Sequence, residues 1–295
     1  MKKYLKLLRV EQWVKNLFVF VPLFFSGNIK NLDLLSKSIF AFIIFSLAAS
    51  IVYILNDYND IEADRKHPEK RRRPLASGVI SKRRALGILS GLVIIDIALV
   101  FFAQYYFQEN LWKFATIIAT YFVMNLAYTF KLKHVPIIDI FIIATGFVLR
   151  VQAGGYITEI FISQWATLLT FLLALVLAIG KRRGELINAQ VSGKTRKSLD
   201  GYNVQFADIA LSISVTLAIV CYLMFTLSPE IQLKLHSGIF YTVVFVVFAF
   251  LRYLQQTLVY NRTESPTKIV YRDRYIQITL ILWVAAFLIL IYFKK

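Results

Sequence analysis

Nine apolar stretches follow one another along the chain, at about 11–28, 36–56, 84–104, 112–130, 136–157, 160–180, 208–228, 237–256 and 275–293. Each is close to the roughly 20 residues that cross a hydrocarbon core. A segment in lipid must be helical, because lipid offers no partner to exposed backbone N–H and C=O groups. The pattern predicts an all-α, polytopic membrane protein of nine transmembrane helices, built as one integral-membrane domain over residues 1–295. Inner polar connections fall at about 57–83, 131–135, 181–207 and 257–274, all but the second of them long, whereas 229–236 on the other side is short. Polar chain retained at length is where function concentrates.

The first stretch needs a decision. Lys2, Lys3, Lys6 and Arg9 precede the apolar run Leu17–Phe25 in the manner of a signal peptide. Phe24/Ser26, Phe25/Gly27 and Ser26/Asn28 offer no pair of small residues for cleavage, so a retained helix is expected. Composition agrees with the membrane reading: 58% of residues are hydrophobic and the mean hydropathy is +0.62, beyond the roughly 45–50% of soluble domains. The net charge of +17, from 34 Lys and Arg against 17 Asp and Glu, would point to nucleic acid in a soluble chain. Its placement removes that reading. With the N-terminus inside, 27 basic residues fall on inner segments and six on outer ones, with Arg150 inside the fifth stretch. This is the positive-inside rule. The expected partner is the lipid bilayer of the cytoplasmic membrane, with no nucleic acid. The single cysteine, Cys221, forms no internal disulfide.

The scarce acidic residues carry the chemistry. The second stretch closes on Asn56-Asp57-Tyr58-Asn59-Asp60-Ile61-Glu62-Ala63-Asp64. At about 100° per residue, Asn56, Asp57, Asp60 and Asp64 fall at roughly 0°, 100°, 40° and 80°, while Glu62 points away. Three carboxylates and an amide on one face repel one another unless a cation joins them. Hard oxygen ligands at that spacing suit Mg²⁺, whose shell is commonly completed by substrate phosphates. A solvated acidic helix end is the plain alternative. The run Arg65-Lys66-His67-Pro68-Glu69-Lys70-Arg71-Arg72-Arg73-Pro74 follows directly. Bases beside a carboxylate-held metal are the layout for a pyrophosphate ester, with lipid-headgroup binding the alternative for any one arginine.

The Asn-Asp-x-x-Asp-x-x-x-Asp pattern resembles the first acidic motif of the UbiA superfamily of intramembrane prenyltransferases. Ordinary members carry a second acidic motif after helix 6, where this chain has Gly180-Lys181-Arg182-Arg183-Gly184-Glu185-Leu186. That departure points away from prenyl transfer to an aromatic acceptor. The chain is more similar to the branch of polyprenyl-phosphate phosphoribosyltransferases. The likeness lies at Arg9-x-x-Gln12-Trp13-x-Lys15-Asn16, Asn56–Pro74, Tyr128 through Asp139, Gly146–Arg150, Ala153–Gly155, Gly180-Lys181-Arg182-x-x-Glu185-Leu186, Arg252-Tyr253 and Asp273-Arg274.

The resemblance implies two substrates, phosphoribosyl pyrophosphate as donor and a polyprenyl phosphate as acceptor, with Mg²⁺ as cofactor. Asn56, Asp57, Asp60 and Asp64 would then hold Mg²⁺ on the pyrophosphate, assisted by Lys15, Arg71 and Arg73. Lys181, Arg182 and Glu185, at about 0°, 100° and 40° on a continuing helix, would meet the ribose phosphate and hydroxyls. Lys181 and Glu185 join the three aspartates as the expected catalytic residues, and Tyr128, Lys131, Lys133 and Asp139 complete the binding set. An i,i+4 Lys–Glu pair, stop-transfer lysines and a snorkelling Lys15 are the structural alternatives.

Arg150 lies mid-helix, where an unpaired cation costs at least about 2.5–3.5 kcal/mol, so it should face the bundle interior and an anion. Asp96 is anomalous in the same way and is expected to be structural, hydrogen-bonded to a neighbouring helix or interface. His67, His134 and His236 lack metal-ligand spacing. A prenyltransferase using a polyprenyl diphosphate is the second reading. A membrane transporter is the third, disfavoured because the polar set gathers at the inner rim rather than the midplane. The sequence leaves a homo-oligomer open.

Overall fold

The computed structural model describes residues 2–67, 69–192, 199–234, 237–262, 269 and 272–292. His236 and residues 263–268, 270 and 271 of the 257–274 connection therefore lie outside the described residues. Regular structure among the described residues is helical, without strands. Seven segments there are long and apolar enough to cross a membrane. The chain divides into two compact units.

The first unit comprises Met1–Leu132 and Leu149–Phe161. It holds α1 (Lys2–Leu8), a 3₁₀ segment (Val10–Phe20), α2 (Val21–Phe25), α3 (Leu32–Asn59), α4 (Ile61–Arg65), α5 (Lys82–Phe107) and α6 (Trp112–Phe130). The end of α7 (Ile138–Thr158) also belongs to it. Helix α3 starts where the Asn31 side chain accepts from the N–H groups of Asp33 and Leu34, satisfying donors that have no partner within the helix.

Two of the nine expected spans differ from the seven. The 11–28 stretch is not one α-helix: Arg9 adopts φ 49°, the backbone runs as 3₁₀ through Phe20, and Pro22 opens a short α2. Polar side chains explain its path. Trp13 Nε1 donates to Ser50 Oγ at 3.0 Å and Asn16 Nδ2 to Ser46 Oγ at 3.0 Å, tying the segment to α3. Helix α6 covers the expected 112–130, but Lys113, Asn125 and its threonines leave it outside the seven.

The core of this unit packs Ala41, Ile44, Phe45 and Ala48 of α3 with Phe114, Ile118 and Tyr121 of α6 and Leu149, Ala153 and Ile157 of α7. A methyl group on Gly154 would sit 1.9 Å from the Val19 carbonyl oxygen, so glycine there permits backbone-to-helix contact.

The second unit comprises Lys133–Val148 and Ile162–Lys295. It holds the start of α7, then α8 (Gln164–Ser192), α9 (Val204–Leu227), α10 (Pro229–Lys234), α11 (Val243–Leu254) and α12 (Arg274–Tyr292). A 3₁₀ turn, Ser237–Thr242, precedes α11 and a π turn, Gln255–Val259, follows it. Helix α8 continues to Ser192, so the connection expected at 181–207 begins later and its basic segment is helical. Leu172, Leu175, Val176 and Ile179 of α8 pack with Leu211, Val215 and Ala218 of α9 and with Phe250 and Tyr253 of α11.

Candidate active site

In the first unit the acidic pattern sits at the junction of α3 and α4. Asp60 ends one helix and starts the next with φ −97° and ψ 9°. The hydrogen-bond ladder continues across it, Asp60 N to Asn56 O at 3.0 Å and Asp64 N to Asp60 O at 2.8 Å. That continuity brings Asp57 and Asp64 to one side, as the helical arithmetic predicts. Both are buried, at 2% and 3% exposure. Asp60 is half-buried and accepts from Asn59 Nδ2 at 3.2 Å.

The two buried carboxylates are held by arginines. Arg73 Nη1 donates to Asp57 Oδ1 at 3.0 Å and to Asp64 Oδ2 at 2.6 Å. Arg9 forks onto Asp57, Nε to Oδ2 at 3.3 Å and Nη2 to Oδ1, and lies over the Tyr53 ring at 5.0 Å. Pairing is what makes burial of such charges tolerable.

Among the described residues no three His, Cys, Asp or Glu side chains form a ready cage for a metal ion, and guanidinium groups stand on these carboxylates. The donor set nevertheless fits Mg²⁺. It consists of hard oxygens, and Asn56 Oδ1 is buried without a hydrogen-bond partner, an acceptor left open on the same helical turn. Of the basic run, Arg73 is engaged here, whereas Arg71 and Arg72 are exposed.

In the second unit the basic segment of α8 forms another network. Arg182, 5% exposed, donates Nε to Asp139 Oδ2 at 2.8 Å and Nη1 to Glu185. Lys181 is exposed, with Nζ 3.8 Å from Glu185 Oε1. Asp139, fully buried, also accepts from the Tyr202 hydroxyl at 2.7 Å. The Tyr202 oxygen in turn accepts the Ile137 N–H at 2.6 Å. Ile137 has φ 69°, a conformation a β-branched residue resists, and the tyrosine bond helps to hold it. A methyl on Gly201 would lie 2.4 Å from Pro136 Cγ, so glycine lets this loop close down.

Burial, together with the hydrogen bond to Asp139, raises the Tyr202 phenol well above its ordinary value and keeps it protonated. Arg183 turns the other way, to Asp208, to the Thr257 carbonyl at 2.7 Å and to Asn261 Oδ1 at 2.9 Å.

Arg150 is buried in the first unit, as its helical position predicts. Its guanidinium donates to Asn16 Oδ1 at 2.7 Å and to the Tyr121 hydroxyl at 3.4 Å, and lies over the Phe45 and Tyr121 rings at 4.9 and 5.2 Å. An amide, a phenol and two ring faces are thus among the partners of this charge. Lys15, Tyr128 and Lys133 are half-buried and Lys131 is exposed at the end of α6. Asp96 is buried, but Oδ1 lacks the hydrogen bond expected of it.

Two central residues were absent from the expected site. Arg9 appeared only within the N-terminal likeness, and Tyr202 carried no local signal. The glycine before Tyr202, two residues after Leu199, was the available clue to a tight loop.

Comparison with known proteins places the chain. A family model described as the UbiA prenyltransferase family matches residues 17–281. A decaprenyl-phosphate phosphoribosyltransferase from Mycolicibacterium smegmatis is 35% identical over 302 residues, covering 98% of this chain and 92% of its own. Its namesake from Corynebacterium glutamicum is 33% identical over 293 residues, covering 98% and 86%. Among solved structures, a UbiA homolog from Archaeoglobus fulgidus bound to GPP and Mg²⁺ has the same fold. Its TM-score is 0.68 at 19% identity, over 96% of this chain and 97% of that one.

Proposed function

This chain belongs to the UbiA prenyltransferase family, and from that premise we propose that it transfers the 5-phosphoribosyl group of phosphoribosyl pyrophosphate to a polyprenyl phosphate. One observation carries the choice within the family. Arg182 and Arg183, both buried, stand in α8 where prenyl-transferring members are expected to hold a second set of carboxylates. Relatives named decaprenyl-phosphate phosphoribosyltransferase, similar over nearly the whole chain, support the same reading.

In the reaction a phosphate oxygen of the acceptor bonds to ribose C1 while the bond from C1 to the pyrophosphate oxygen breaks. The acceptor is already an anion, so no side chain has to remove a proton. Charge must be stabilised instead, on the departing pyrophosphate and on an oxocarbenium-like ribose. Asn56, Asp57, Asp60 and Asp64 would hold Mg²⁺, which when bound neutralises pyrophosphate. Lys15, Arg71 and Arg73 supply further cations to the phosphates. Lys181 offers an exposed amine to a phosphate, and Glu185, oriented by Arg182, accepts from ribose hydroxyls. Asp139 and Tyr202 hold Arg182 in place, while Tyr128, Lys131 and Lys133 complete the substrate-binding set. Arg150 fixes Asn16 within the first unit.

We place the protein in the cytoplasmic membrane with nine spans, an inside N-terminus and chemistry on the cytoplasmic side, because the basic residues concentrate on those segments.

Membranes carrying the protein, labelled phosphoribosyl pyrophosphate, Mg²⁺ and decaprenyl phosphate should yield a labelled lipid that chelation abolishes. Asp60→Ala and Asp64→Ala should lose it too. Absence of any labelled lipid defeats the reading. A product formed instead from a polyprenyl diphosphate and an aromatic acceptor favours prenyl transfer.

A further inference from the structure

We propose that Arg9 is a donor-binding residue kept in reserve on Asp57. When a divalent ion and a diphosphate arrive together, Arg9 and Arg73 pass their hydrogen bonds from carboxylate to phosphate oxygens. This rests on the donor reading above and adds to it a residue and a coupling.

Asp57 and Asp64 are buried carboxylates and need a cation whether or not donor is bound. In this structure guanidinium supplies that cation. Arg9 spans both oxygens of Asp57, and Arg73 joins Asp57 Oδ1 to Asp64 Oδ2. Asp57 Oδ1 already accepts from both arginines, so a divalent ion taking that oxygen must displace at least one of them.

The displaced forks do not travel far. Arg9 is restrained by the Tyr53 ring and by its place at the start of the 3₁₀ segment, itself pinned to α3 through Trp13 and Asn16. Both arginine side chains are partly open, at 17% and 24% exposure. A guanidinium fork matches phosphate as well as it matches carboxylate.

Charge then dictates order. Arg9 and Arg73 against Asp57, Asp60 and Asp64 leave one net negative charge. A divalent ion alone would turn the cluster positive, whereas the same ion with diphosphate leaves it negative. Metal alone therefore binds poorly, and metal and diphosphate assist each other.

The test is thermal unfolding of the detergent-solubilised full chain with Mg²⁺ alone, with pyrophosphate alone, and with both. The unaltered protein should respond to both together by at least about 2 °C and hardly to Mg²⁺ alone. Arg9→Gln should reverse the pattern: Mg²⁺ alone now stabilises, because it replaces the missing guanidinium, and the added effect of pyrophosphate shrinks. A purely structural arginine cannot move the two responses in opposite directions. Should Arg9→Gln fail to fold, Arg9→Lys, which keeps charge but loses the fork, should show the same pair of changes at smaller size. An Arg9 variant with both responses unchanged overturns the exchange while leaving the donor reading intact. An unaltered protein indifferent to Mg²⁺ and pyrophosphate together overturns both.

Discussion

The Tyr202 hydroxyl donates to Asp139 Oδ1 at 2.7 Å while accepting the Ile137 N–H at 2.6 Å. One phenol therefore holds a buried carboxylate and a backbone in the left-handed region. Tyr202→Phe keeps the ring and deletes both bonds. A buried acceptor or donor left unmade costs about 1–3 kcal/mol, so the variant should melt lower and transfer phosphoribose more slowly. A melting temperature equal to that of the unaltered protein would remove Tyr202 from the network.

Arg182 and Asp139 form a buried pair, Nε to Oδ2 at 2.8 Å. Removing one partner strands the other charge, which costs about 3–5 kcal/mol. Arg182→Gln should be strongly destabilised, and the double variant Arg182→Gln with Asp139→Asn should regain part of that loss without regaining transfer. A double-mutant cycle on unfolding measures the coupling. Strictly additive losses would contradict the pairing.

The long apolar runs made most of the helices legible, and helical spacing brought out Asp57 and Asp64. What escaped was set by tertiary contacts. The 3₁₀ path of Val10–Phe20 depends on Trp13 and Asn16 finding serines on α3, 37 and 30 residues away. No periodicity in 11–28 encodes those partners. Arg9 reaches Asp57 across 48 residues and Tyr202 reaches Asp139 across 63, so neither joined the site by spacing. Adjacent arginines on α8 must diverge by about 100°, yet only the fold reveals that Arg182 meets Asp139 and Arg183 meets Asp208. Spacing presented the acidic face as carboxylates in need of a cation, and the arginines that pair with them there were half missed.

Two glycine substitutions should have opposite signs. In Gly154→Ala the new methyl would meet the Val19 carbonyl oxygen at 1.9 Å, backbone that a rotamer change cannot relieve. The 3₁₀ segment must move, and overpacking of this kind costs about 1–3 kcal/mol. Gly87→Ala lies in α5 with nothing within 4 Å of the new methyl, so helix propensity alone acts, worth up to about 1 kcal/mol in favour. Melting temperatures should fall for the first and hold or rise for the second. A tolerated Gly154→Ala would mean that the segment is not in contact with α7.

Asp273, just before α12, accepts from Arg252 Nε at 3.0 Å and from Gln256 Nε2 at 2.6 Å. Burial by itself would raise this carboxyl, but the Arg252 hydrogen bond and the Ile276 N–H outweigh it and hold it below the ordinary aspartate value. A folded-state pKa below the unfolded one means that the pair's stabilisation is fully present above the unfolded value of about 3.9. It is lost as pH falls from there through the depressed folded value. Asp273→Asn keeps the shape and abolishes the titration. The gap in melting temperature between the two proteins should be constant from neutral pH to about pH 5 and close progressively below about pH 4. A gap that stays open at low pH, or widens, would show that the ion pair with Arg252 is not what Asp273 contributes.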